Sequence, residues 1–197
     1  MSKTPWKFKL AFAVRAATVP PVMVGILLLL LFLFRKDHFG SPLHMTVSAC
    51  LLTVLPLVAY PLSMLVPAIR KKGREGQRSL AMYLSAAGYL AVFVYGLIAR
   101  VGDGLLHIYA GYLFSVIIIL ITNKLLHIRV SGHACAVSGP MVYAACYLGW
   151  WSLAVGAVLW GAILWASLVM KRHTVKEFLL GTATCLVAFA VSWIAFH

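Results

Sequence analysis

Two histidines and one carboxylate are the residues of this chain best suited to chemistry. His133 stands in Ser131-Gly132-His133, and His173 follows Lys171-Arg172, with Glu177 four residues further on. Four residues is about one helical turn, so Glu177 falls on the same helix face as His173. Its carboxylate could hold one ring nitrogen and leave the other free. A free imidazole nitrogen is a nucleophile toward phosphorus, and a second histidine can protonate the departing oxygen. Beyond that, phosphoryl transfer needs positioning and balanced charge on the phosphoryl oxygens. The polar neighbours supply that charge, because Lys71, Arg78, Lys124, Arg129, Lys171 and Arg172 are all cationic. Glu177 is the only acid after Asp103, so its partnership with His173 is not one among many.

The elements that must position these residues are apolar helices. The chain has 197 residues, of which 63% are hydrophobic, more than a soluble domain of this size needs. Its apolar runs match the roughly 20 helical residues that span a bilayer core of roughly 30 Å. In lipid, helices also satisfy their own backbone hydrogen bonds. The runs are expected at approximately 11–34, 43–69, 79–99, 104–122, 133–149, 151–169 and 175–196. Breaks are marked by Arg35-Lys36-Asp37, Arg70 to Arg78, Arg100 to Gly104, Asn123 to Arg129, Gly149-Trp150 and Lys171-Arg172. The expected fold class is therefore an all-α integral membrane protein, a compact bundle of six to seven transmembrane helices, with residues 1–197 as one domain. Lys3, Lys7 and Lys9 resemble a charged leader, but the long apolar stretch behind them carries Arg15 and Pro20-Pro21. It reads as a retained first helix rather than a cleaved signal.

With seven spans, the N-terminus and the breaks near 70–78, 123–132 and 170–174 share one side, and both histidines open spans there. That side carries fourteen of the seventeen Lys and Arg; the other holds Arg35, Lys36 and Arg100. Leaving out Lys71, Arg78, Lys124, Arg129 and Arg172 still gives nine against three. The positive-inside rule then expects the histidine side in the cytoplasm, of a bacterial or archaeal inner membrane. The net charge of +13 is read as membrane anchoring and lipid-phosphate binding, with no nucleic-acid partner.

Val130-Ser131-Gly132-His133, followed forty residues later by His173, resembles the type 2 phosphatidic acid phosphatase superfamily. That family's first motif is Lys, six residues, Arg-Pro; its second is Pro-Ser-Gly-His; its third is Ser-Arg, five residues, His, three residues, Asp. Here Lys71, six residues, Arg78-Ser79 matches the first apart from the proline. The second lacks its proline, where Val130 stands. The third keeps its spacing, with Ala166-Ser167 in place of Ser-Arg and Glu177 in place of Asp. The resemblance covers roughly residues 69–181. It implies a lipid phosphatase in which His173 becomes a phosphohistidine, His133 is the acid and Glu177 the orienting carboxylate. Lys71, Arg78, Ser131 and the Gly132 amide would bind the substrate phosphate. Ser167 removes one phosphate ligand, and Arg129, Lys124 or Arg172 is expected to replace it. Some divergent bacterial members look similar, with a cation two residues before the serine, where Arg129 stands.

Neither a metal nor another cofactor is expected, since no carboxylates cluster and Lys and Arg supply the positive charge. The expected partners are a lipid phosphate substrate and the surrounding membrane lipids. His107 and His127 read as residues bonded within the bundle or lining it, and His38, His44 and His197 as interfacial or loop residues. Cys50, Cys135, Cys146 and Cys185 read as packing residues. The rival class is a non-catalytic lipid-phosphate binder or transporter with a degenerate site, which the lost third-motif arginine favours.

Overall fold

The computed structural model describes residues 5–36 and 41–196. Lys3, Asp37, His38 and His197 lie outside them. The described residues form helices and no strand, in the order α1 (Pro5–Ala17), α2 (Pro20–Phe34), α3 (Pro42–Ala49), α4 (Leu55–Leu65), α5 (Pro67–Lys71), α6 (Gly73–Ala99), α7 (Asp103–Leu120), α8 (Gly132–Leu148), α9 (Trp151–Val169) and α10 (Val175–Phe196). A π turn at Cys50–Val54 joins α3 to α4, and another at Ile121–Leu125 extends α7.

All seven expected apolar segments are helical. Among the described residues five helical stretches are long and apolar enough to cross a membrane. They are Pro42–Leu65, Gly73–Ala99, Asp103–Leu125, Trp151–Val169 and Val175–Phe196. A sixth arises if α1 and α2 count as one span bent by 52°. α8, at 17 residues, stays as short as the sequence suggests.

Local chemistry sets the breaks. Pro20 and Pro21 occupy the first turn of α2, where a missing N–H costs nothing, and so start a new helix after α1. Pro67 forces Val66 into extended backbone, which ends α4 at Leu65 rather than at residue 69. The basic run 70–78 is not a loop. It closes α5 and then forms the first turns of α6, which begins at Gly73 rather than at 79. The reason is that Glu75, Gln77 and Arg78 are good helix formers, and the break between α5 and α6 falls just before them, at Gly73 with φ 54°.

Among the described residues the two largest of three apolar clusters hold the bundle. The larger gathers Leu27, Leu28 and Leu31 of α2 with Leu52, Val92, Ile108 and Tyr109. The smaller lies near the histidines and joins Met23, Ala134, Val137, Ile163 and Phe178. Val14 of α1 packs against this second cluster. Several polar groups in the apolar interior are paired, which offsets the cost of burying them. Ser48 Oγ and Tyr109 OH lie 2.6 Å apart. His107 bonds through Nδ1 to Tyr147 OH at 2.7 Å and lies edge-on to Tyr143. It is the bonded core histidine that the sequence suggests.

Candidate active site

His173 and Glu177 sit where α9 hands over to α10. α9 ends in a reverse turn with Lys171 in the left-handed region at φ 51°. There the Arg172 amide donates to Ser167 O at 2.9 Å and the Lys171 amide to Leu168 O at 3.0 Å, the double bond of a Schellman motif. α10 then starts with a capping box. The Glu177 amide donates to Thr174 Oγ1 at 3.2 Å, and the Thr174 amide to Glu177 Oε2 at 3.3 Å. The same Oε2 lies 2.9 Å from His173 Nδ1. An ionised carboxylate only accepts, so Nδ1 carries the proton and Nε2 keeps its lone pair.

The His173 side chain is 6% exposed. Burial pushes its pKa below the ordinary histidine value; Arg78 pushes the same way, and the Glu177 hydrogen bond opposes them. The neutral, nucleophilic form is thereby favoured.

His133 lies in the first turn of α8, which Ser131 starts. Ser131 is fully buried, and its Oγ accepts from the Ala134 amide at 3.2 Å. Its own amide donates to the Glu177 carbonyl at 3.0 Å, tying the two histidine-bearing helix starts together. Gly181 permits that approach: a Cβ there would meet Ser131 O at 2.3 Å. The segment before Ser131 is clamped by Asn123, whose Oδ1 accepts from the Val130 amide at 2.8 Å and whose Nδ2 donates to Val130 O at 3.2 Å. His133 Nε2 is shielded from solvent and has no hydrogen-bond partner among the described residues. His173 and Arg15 are both within electrostatic reach of it.

The cations divide. Arg78 and Arg172 reach the site electrostatically, Arg78 toward His173 and both toward Arg15. Arg129 Nε lies 3.4 Å from Glu177 Oε1, but its side chain is 66% exposed, so the pair contributes about 1 kcal/mol at most. Lys71, at the end of α5, and Lys124, in the π turn after α7, are exposed. Among the described residues neither has a hydrogen bond or ion pair linking it to the histidines. The Gly132 amide is one of the orphan donors that a helix start presents.

Sequence reasoning missed three contributors. Asn123 gave no signal, because a lone asparagine marks many loops. The Thr174–Glu177 spacing is a capping-box signature and was available in the sequence. Arg15 had no local signal at all. Its Nη1 donates to Ser167 Oγ at 2.5 Å across 152 positions of sequence. The guanidinium at Ser167 thus comes from α1, whereas Arg129 is engaged with Glu177.

The chain matches no protein-family model, no curated protein and no solved structure.

Proposed function

We propose that the protein is a membrane-embedded lipid phosphatase, a divergent relative of the type 2 phosphatidic acid phosphatases. One observation carries this reading. His173 Nδ1 is held by Glu177 at 2.9 Å, while a second histidine within electrostatic reach keeps a buried, unpartnered Nε2. Arg15 reaches both rings electrostatically and Arg78 reaches His173, which suits an anionic substrate. The long apolar helices suit a substrate whose chain remains in lipid while its headgroup meets the helix ends. On this reading six to seven helical passes cross a bacterial or archaeal inner membrane, with the site on the cytoplasmic side by charge.

The reaction balances with the groups present. His173 Nε2 attacks phosphorus, and the bond to the leaving oxygen breaks. His133, protonated by the proton that a phosphate monoanion brings into the site, gives it to that oxygen, releasing a lipid alcohol or, from a pyrophosphate, a lipid monophosphate. Water then attacks the phosphohistidine, His133 takes its proton, and inorganic phosphate leaves. Arg78 and Arg172 offset charge on the phosphoryl oxygens, and the Gly132 amide adds a helix-start donor. Candidate substrates are polyprenyl phosphate or pyrophosphate, phosphatidate and phosphatidylglycerol phosphate.

The test is phosphate release from a panel of these lipids in detergent, with and without chelator. Turnover by the wild-type protein and its loss in His173→Ala are expected, with labelled substrate trapping a phosphorylated wild-type chain. Full activity in a folded His173→Ala variant would remove the nucleophile assignment. Phosphate binding without any turnover would favour a non-catalytic lipid-phosphate binder.

A further inference from the structure

We infer that Arg15 is a direct ligand of the substrate phosphate, so that α1, which lies outside the segment carrying both histidines, forms one wall of the site. The inference rests on the phosphate reading above. Arg15 is half-buried, and its one described hydrogen-bond partner is a neutral hydroxyl, Ser167 Oγ, itself fully buried. Ser167 Oγ passes its own proton to Ile163 O at 2.6 Å, so its lone pair is directed to the guanidinium. A guanidinium has five N–H donors, and this contact uses one.

Among the described residues no carboxylate balances Arg15. Arg78 and Arg172 are near enough to repel it, and Glu177, the acid of this region, already serves His173, the Thr174 amide and Arg129. Three arginines thus lie within electrostatic reach of one another, and one of them, Arg15, also reaches the histidine whose buried Nε2 lacks a partner among the described residues. Such an arrangement is poorly compensated until an anion with several acceptor oxygens enters. A phosphate group supplies them, and the flat fork of arginine suits phosphate geometry. Ser167 sets the aim of the fork. A bulky residue there would occupy the space that Arg15 fills, so a small residue on α9 and the arginine on α1 form one device.

The test measures binding of inorganic phosphate to the detergent-purified full chain, by phosphate-dependent thermal stabilisation and by phosphorus NMR titration. Compared with wild type, Arg15→Gln should bind phosphate about ten- to a hundredfold more weakly, the loss of one charge-assisted contact. Arg15→Lys should fall between the two. The exchange Arg15→Ser with Ser167→Arg, which sends the guanidinium from α9 instead, should recover most of the affinity. Lys7→Gln removes an exposed cation from the same helix and should leave binding unchanged. Wild-type phosphate affinity in folded Arg15→Gln would overturn the inference, as would an equal loss in Lys7→Gln. If Arg15→Gln does not fold, failure of the exchange variant to exceed Arg15→Lys overturns it. If the wild type binds phosphate through Arg15 yet releases none from lipids, the phosphatase reading fails and the ligand assignment stands. Absence of phosphate binding by the wild type removes both.

Discussion

At the residue scale, Glu177 carries three duties: it caps α10, fixes the His173 tautomer and pairs with Arg129. Substitution can separate them. Glutamine also completes a capping box, so Glu177→Gln keeps the helix start while removing the charge. We expect kcat to fall at least about tenfold, corresponding to about 1.36 kcal/mol, with little change in thermal stability. The pH profile gives an independent sign. Because burial holds His173 below its ordinary value, the acid limb of kcat/KM should lie below about pH 6.5. The Glu177 hydrogen bond works against that depression, so Glu177→Gln should move the limb further toward acid as the rate falls. A limb that moves toward neutral pH would show that His173 is not the group titrating.

At the element scale, the handover from α9 to α10 pairs a Schellman motif with a capping box, and its weak point is Lys171. A left-handed conformation costs a residue with a Cβ roughly 1–2 kcal/mol, and glycine escapes most of that. Lys171→Gly should therefore raise the melting temperature in detergent, by an amount equivalent to about 1 kcal/mol, and leave the His173–Glu177 pair intact. A lower melting temperature would mean that the Lys171 side chain contributes more than its backbone costs. Helix existence was legible in the sequence because apolar runs this long leave few alternatives. The ends were less so. Lys71 to Arg78 looked like a loop because charge alone was weighed, although Glu75, Gln77 and Arg78 favour helix. The candidate trio of His133, His173 and Glu177 was legible from residue type and from the spacing of His173 and Glu177. Arg15 was not, because its partner Ser167 lies on the next-to-last helix and no local pattern encodes a contact of that range.

At the scale of the whole molecule, three separate helix starts, those of α6, α8 and α10, converge with α1 at one end of the bundle. On the proposed reading, Gly73, Ile128 and Lys171 then face the same aqueous compartment. Cysteines placed singly at these positions, in a chain whose native cysteines are replaced by alanine, should all react with an impermeant thiol reagent from one side. Reaction from opposite sides would dissolve the site, whereas reaction of all three from outside would keep the site and reverse its orientation. The link between Arg15 and Ser167 also has a consequence in time. Chains emerge N-terminus first at roughly 5–20 residues per second. α1 is therefore made well before its partner, and about 8–30 s of synthesis separate the two ends of a contact spanning 152 positions. Through that interval Arg15 must be accommodated by water or lipid headgroups. The earliest made of the described helices is thus among the last to find its seat, and on the proposed reading a nascent chain that already holds His133 still lacks the wall against which a headgroup would rest.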